Sequence, residues 1–124
     1  LIYLVLLMGK TYITIKIIGK RGERTLRLLV DTGSMYTWIK RKTLIDLGVQ
    51  PRGKQTFVTI EGRKIVREIG SVEAEFDLLR MPIPVVFAEE GDMEVFGLTG
   101  LEIFGLTIDP RTGRIIREEA LLAL

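Results

Sequence analysis

The chain contains no cysteine and no histidine. Their absence removes disulfides, thiol nucleophiles, Ser-His triads and the usual zinc ligands together. Hydrolytic chemistry, if present, must rest on carboxylates, Lys, Tyr or Ser. An excess of one charge is also missing: 18 basic and 16 acidic residues are interspersed, for a formal charge of +2. So even a balance carries no nucleic-acid footprint, and the short run Lys40-Arg41-Lys42 reads as a solvated surface. Long apolar stretches are lacking too. Leu1 to Met8 is apolar but far short of the roughly 20 residues that a membrane span needs. It has neither the basic flank nor the small-residue cleavage site of a signal peptide. No membrane partner is expected, and a cytoplasmic location is favoured. Leu1 to Met8 reads as an N-terminal extension before the body of the domain, or as an interface strand.

What the chain does have is apolar residues, 47% of its length, enough to fill the core of one domain over residues 1–124. They recur with period two, and Gly and Pro punctuate them. Ile13, Ile15 and Ile17 alternate with Tyr12, Thr14 and Lys16, the pattern of a strand with one buried face. Gly19 to Gly22 is a turn, and Glu23 to Val30 a second strand that ends in Leu28-Leu29-Val30. Arg41 to Leu47 looks like a short helix stopped by Gly48. Pro51 to Lys54 is a loop; Thr56 to Ile60 and Arg63 to Ile69 form a hairpin turning at Glu61-Gly62. Further strands are expected at Ser71 to Phe76, Ile83 to Phe87 and Val95 to Gly97. A helix is expected from Leu98 to Phe104, and a last hairpin around Pro110 to Gly113. The pattern predicts an all-β, barrel-like fold with one convincing helix, near the C-terminus.

One segment carries chemistry. Asp31-Thr32-Gly33-Ser34 follows directly on an apolar run. A carboxylate at the end of a buried strand is partly desolvated and sensitive to its neighbours. Gly33 permits a tight turn, and the Thr32 and Ser34 hydroxyls can hold the loop and the carboxylate. The plain alternative is an Asx-turn closing a hairpin. Asp-Thr-Gly alone arises by chance in roughly a few per cent of chains this long. Asp77 and Asp92 lie in polar or loop contexts and Asp109 precedes Pro110 in a turn, so structural roles are expected for all three. Gly9-Lys10-Thr11 is not a phosphate loop, because Leu4 stands where that motif needs its first glycine. Trp38 reads as core rather than as a ligand platform.

With its flanks, Leu28 to Ser34 resembles the active-site signature of aspartic proteases, and Trp38-Ile39 follows at the spacing seen in that family. Val95-Phe96-Gly97 ahead of a short helix resembles the family's second hallmark, and Leu106 to Pro110 is similar to the closing strand of the retropepsin type. The resemblance runs from about Thr11 to Arg117. It implies a single-lobe, retropepsin-like closed barrel acting as a homodimer on polypeptide substrates, with no cofactor and no metal. Asp31 is then catalytic. Thr32, Gly33 and Ser34 support its loop, and Phe96 and Gly97 support it from the second loop. Ile60, Glu61, Gly62 and Arg63 form a flap. Termini interleave at the dimer interface in this family, a role for Leu1 to Leu7 and Leu121 to Leu124. The chain departs from the pattern at Leu98 and Thr99, where members often carry a polar or charged residue. Its flap has neither a glycine-rich tip nor a tyrosine. The same fold retained as a weakly active or inactive peptide-binding and dimerisation module is the alternative.

Overall fold

The computed structural model describes residues 10–121 and 123. Leu1 to Met8, Gly9, and Leu122 and Leu124 of the tail lie outside the described residues, and so do the expectations placed on them. Among the described residues, nine strands and two short helices follow one another as β1 (Tyr12–Gly19), β2 (Gly22–Asp31), β3 (Thr37–Lys40), α1 (Arg41–Asp46), β4 (Gly53–Val58), β5 (Lys64–Phe76), β6 (Leu79–Ala88), β7 (Val95–Gly97), α2 (Leu98–Ile103), β8 (Leu106–Ile108) and β9 (Ile115–Arg117).

Period-two burial drives the architecture. In β1 the side chains of Ile13, Ile15 and Ile17 are buried while Tyr12, Thr14 and Lys16 face outward. Leu28 and Val30 continue the same face on β2, which pairs with β1 in antiparallel register from Tyr12↔Leu29 to Gly19↔Gly22. The sheet then runs β2-β7-β3-β6-β5, and the second half of β1 (Lys16–Ile18) pairs with Glu73–Glu75 of β5. This last pairing closes six strands into a barrel and removes their free edges. β4 stays outside the closure, paired with β5 alone. Ile39, Leu44, Ile83, Val85, Phe87, Phe96, Leu101 and Phe104 fill the interior.

Several local expectations change. Among the described residues there are two short helices of equal length, so the one at Arg41–Asp46 is as well formed as the one near the C-terminus. α1 ends as anticipated, with Gly48 at φ +83 and its N–H on the Ile45 carbonyl. β4 begins at Gly53, inside the stretch read as a loop. β5 runs unbroken through Gly70, where a side chain would press on the Phe87 ring, so the glycine there serves packing and not a turn. The turn between β5 and β6 is Asp77-Leu78, closing Phe76↔Leu79 with φ of 52° and 69°. Both central residues of this tight hairpin need positive φ. Leucine gives no sequence signal for that conformation, and Leu78 holds it with its side chain 95% exposed. Pro82 and Pro84 sit in β6 before its β3-paired stretch Val85–Ala88, so β5 lies on one side only. There a missing N–H leaves no ladder bond unmade.

Candidate active site

β2 delivers Asp31. The alternation that buries Val30 places Asp31 next, half-buried at the strand's end. β2 and β7 run parallel here, and the register Val30↔Phe96, Asp31↔Gly97 sets the carboxylate beside the second glycine motif. The chain then turns. The Ser34 N–H donates to the Asp31 carbonyl at 3.1 Å, and the Gly33 N–H donates to the Asp31 carboxylate Oδ1 at 2.9 Å. An Asx-type turn is therefore present, but it does not close a hairpin. The next strand, β3, leaves β2 and pairs with β7 and with β6.

A second set of contacts fixes this loop to α2. The Leu98 and Thr99 N–H groups, at the start of the helix, donate to the carbonyls of Ser34 (2.8 Å) and Met35 (3.0 Å). Those N–H groups have no partner within their own helix, so the Asp31 loop serves as the cap. Gly97 makes the approach possible: a Cβ on it would lie 2.3 Å from the Tyr36 carbonyl oxygen. Its N–H donates to the Thr37 hydroxyl at 3.1 Å, in a buried bond. The Ser34 hydroxyl donates to the Tyr36 carbonyl at 2.8 Å; it braces the loop backbone and not the carboxylate. Thr32 is exposed at the turn. Asp31 to Ser34 and Phe96-Gly97 thus form one unit. Thr37 was not singled out from the sequence, although its inward position beside Ile39 on β3 marks a buried hydroxyl in need of a partner.

The hairpin expected to be a flap is β4–β5. Its tip is closed by Thr59 N–H to Arg63 carbonyl (2.9 Å), Gly62 N–H to Thr59 carbonyl (2.9 Å) and Arg63 N–H to Thr59 hydroxyl (3.1 Å). Ile60, at the tip, is 85% exposed. The Glu61 carboxyl is held below its ordinary range by its own backbone N–H, then by the Thr59 hydroxyl, with Arg63 nearby. The hairpin meets the segment after the Asp31 loop near its tip, where the Phe57 ring, paired with Ile65, packs on Trp38 (centroids 5.0 Å apart) and edge-on to Tyr36 (6.2 Å). Trp38 is a half-buried packing residue. A second anchor escaped the sequence reading: Arg67 of β5 forks onto Asp92 with bonds of 2.7 and 3.0 Å, while Asp92 also accepts the Glu89 N–H at 2.8 Å. The Asp92 carboxyl is lowered, chiefly by the Arg67 hydrogen bond.

The other acids have structural partners. Asp77 meets Arg117, and Asp109 accepts the Arg111 N–H in the final turn. Asp31 lines none of the main surface depressions, which are bounded by Lys20, Gln50 and Arg80, by Lys42, Ile45 and Glu90, and by Lys10, Tyr12 and Arg27. Its carboxylate is half-exposed, held on a braced loop.

Curated proteins give no significant match to the chain. A family of aspartyl proteases matches residues 13–103, from β1 through the whole of α2, and so takes in the Asp31 loop, the β4–β5 hairpin and Gly97. A match of that extent, over a closed barrel that joins these two loops, places the chain in the aspartyl protease family, of the retropepsin-like kind.

Proposed function

We propose that this protein is an aspartic endopeptidase that works as a homodimer, each copy supplying Asp31. One observation carries the reading. The only Asp-Thr-Gly of the chain sits half-exposed on a loop clamped by Gly97 and α2, and the other acids weighed, Asp77, Asp92 and Asp109, are engaged in turns and ion pairs. Peptide hydrolysis of this type needs two carboxylates sharing one proton, because like charges about 3 Å apart cannot both ionise. A twofold axis through the Asp31 loops supplies the second carboxylate from an identical chain, in an isologous contact.

The chemistry then follows. The ionised Asp31 takes a proton from water, and the water oxygen bonds to the scissile carbonyl carbon. The protonated Asp31 of the other copy gives its proton to the carbonyl oxygen. The tetrahedral diol collapses as the C–N bond breaks and the nitrogen takes up a proton, leaving a carboxylic acid and an amine. The need for one shared proton sets an acidic working range. The substrate lies extended, held by backbone hydrogen bonds as an added strand. The β4–β5 hairpin, with Ile60, Glu61, Gly62 and Arg63 at its tip, closes over it and excludes water. The Phe57 packing on Tyr36 and Trp38 supports this role, since it holds the tip end of the hairpin beside the segment that follows the Asp31 loop.

Asp31→Asn is the direct test. Loss of its acid–base role lowers peptide cleavage by about 10²–10⁴-fold, while the unfolding transition stays cooperative. Retained cleavage by this variant would falsify the assignment. The short tip around Glu61-Gly62 favours the second reading, a peptide-binding module with little or no catalysis. A transition-state mimic of the pepstatin type separates the two. Binding competitive with peptide supports the enzyme, and neither binding nor turnover between about pH 3 and 7 supports the module.

A further inference from the structure

We propose that Met35 and Leu98 form an apolar seal by which one copy of this chain docks on a second copy, beside the paired Asp31 loops. The inference rests on the dimeric reading above and adds the chemistry of the contact.

Met35 is 66% exposed and Leu98 40% exposed. Neither is on a loose segment. The Met35 carbonyl accepts the Thr99 N–H at 3.0 Å, and the Leu98 N–H donates to Ser34 at 2.8 Å. These bonds place the two residues on adjoining backbone at the rim of the Asp31 loop. Apart from Asp31 itself, the two segments that carry them hold no charge. No Asp, Glu, Lys or Arg occurs from Thr32 to Ile39 or from Val95 to Leu101, in a chain of which 27% is charged. The structure brings these two neutral segments together through the Gly97–Thr37 and Leu98–Ser34 bonds. A charge-depleted patch containing methionine is the composition of an interface core, not of a solvated rim.

The occupant follows from geometry. Asp31 is in register with Gly97, next to Leu98, and Met35 lies four residues beyond Asp31. A copy that brings its own carboxylate within proton-sharing distance of Asp31 must cover residues this close to the axis. The contact is isologous, so each Met35 and Leu98 meets the same neutral surface of the other chain. An apolar contact also suits acid. Carboxylate ion pairs weaken as they protonate, whereas Met and Leu do not titrate.

Sedimentation equilibrium of the full chain tests this. Met35→Asp and Leu98→Asp each raise the dimer dissociation constant by about 10-fold or more. Leu78→Asp, an exposed leucine on the separate β5–β6 turn, leaves it unchanged. Raising sodium chloride from about 0.1 to 1 M does not weaken the wild-type dimer, because screening acts on charge pairs. Should a new charge disturb the loop, the uncharged double variant Met35→Gln/Leu98→Gln carries the same expectation. A dimer undisturbed by these variants overturns the seal while Asp31→Asn still tests the catalytic reading. So does a wild-type dimer that salt dissociates, and so do intact dimers of altered cleavage preference, which assign the pair to the substrate cleft. A wild-type chain that stays monomeric from pH 3 to 7 removes the dimeric reading together with the seal.

Discussion

Gly97 and Thr37 join the Asp31 loop to β7 by a buried hydrogen bond and a close backbone approach. Gly97 leaves no room for a methyl group, since the Tyr36 carbonyl fills the space. Gly97→Ala therefore forces β7 and the loop apart and lowers unfolding free energy by about 1–3 kcal/mol, the usual range for overpacking, with cleavage falling further than stability explains. Urea unfolding and an activity assay on the same preparation check both halves. Thr37→Val keeps the shape but leaves the buried Gly97 N–H without its acceptor. An unsatisfied buried donor costs about 1–3 kcal/mol, so a urea midpoint unchanged by Thr37→Val would show that the bond is dispensable. Replacing exposed Thr32 by Val spares the fold of the single chain, because its side chain is not part of the core.

The β4–β5 hairpin is held at the level of elements by two unlike anchors. One is the packing of Phe57 on Tyr36 and Trp38, and the other is the fork of Arg67 on Asp92. The second depends on pH. The Asp92 carboxyl is lowered from its ordinary 3.8, so its pairing with Arg67 stabilises the folded state fully above that value. The contribution is lost as pH falls from there through the lowered folded value. Both side chains are mostly buried, so the loss is felt. Asp92→Asn is expected to lower stability at pH 7 by about 1.5–3 kcal/mol, the worth of hydrogen bonds to a charged group. It also flattens the fall in stability below about pH 4. Unfolding free energies at pH 7 and in acid check the sign. In acid, this is the anchor that loosens first, while the aromatic one, which holds no carboxylate, persists.

Across the whole molecule, barrel closure leaves β4 as the strand of its sheet outside it, with β8 and β9 in a sheet of their own, and leaves the Asp31 loop at the surface. Two such surfaces must meet for the proposed chemistry. Mixing wild type with an equal amount of Asp31→Asn and allowing exchange leaves about a quarter of dimers with two intact carboxylates by random pairing. Activity per wild-type chain is then expected to halve, whereas independent monomers would keep it unchanged. Among the described residues no helix is long and apolar enough to cross a membrane.

Local chemistry was legible in the linear chain. The alternation of Ile13, Ile15 and Ile17 marks β1, because a strand puts every second side chain on one face. The apolar run into Asp31-Thr32-Gly33 and the Gly97 element were readable because each is a short segment whose conformation its own residues restrict. Gly48 capped its helix for the same reason. Tertiary structure alone decided that β2 and β3 leave each other to take β7 and β6 as parallel partners. It also set Thr37 against Gly97 and Arg67 against Asp92, and turned the chain at Leu78. Partners 60 residues apart meet only when the whole barrel closes, and a leucine accepts positive φ only where the strands on either side demand it.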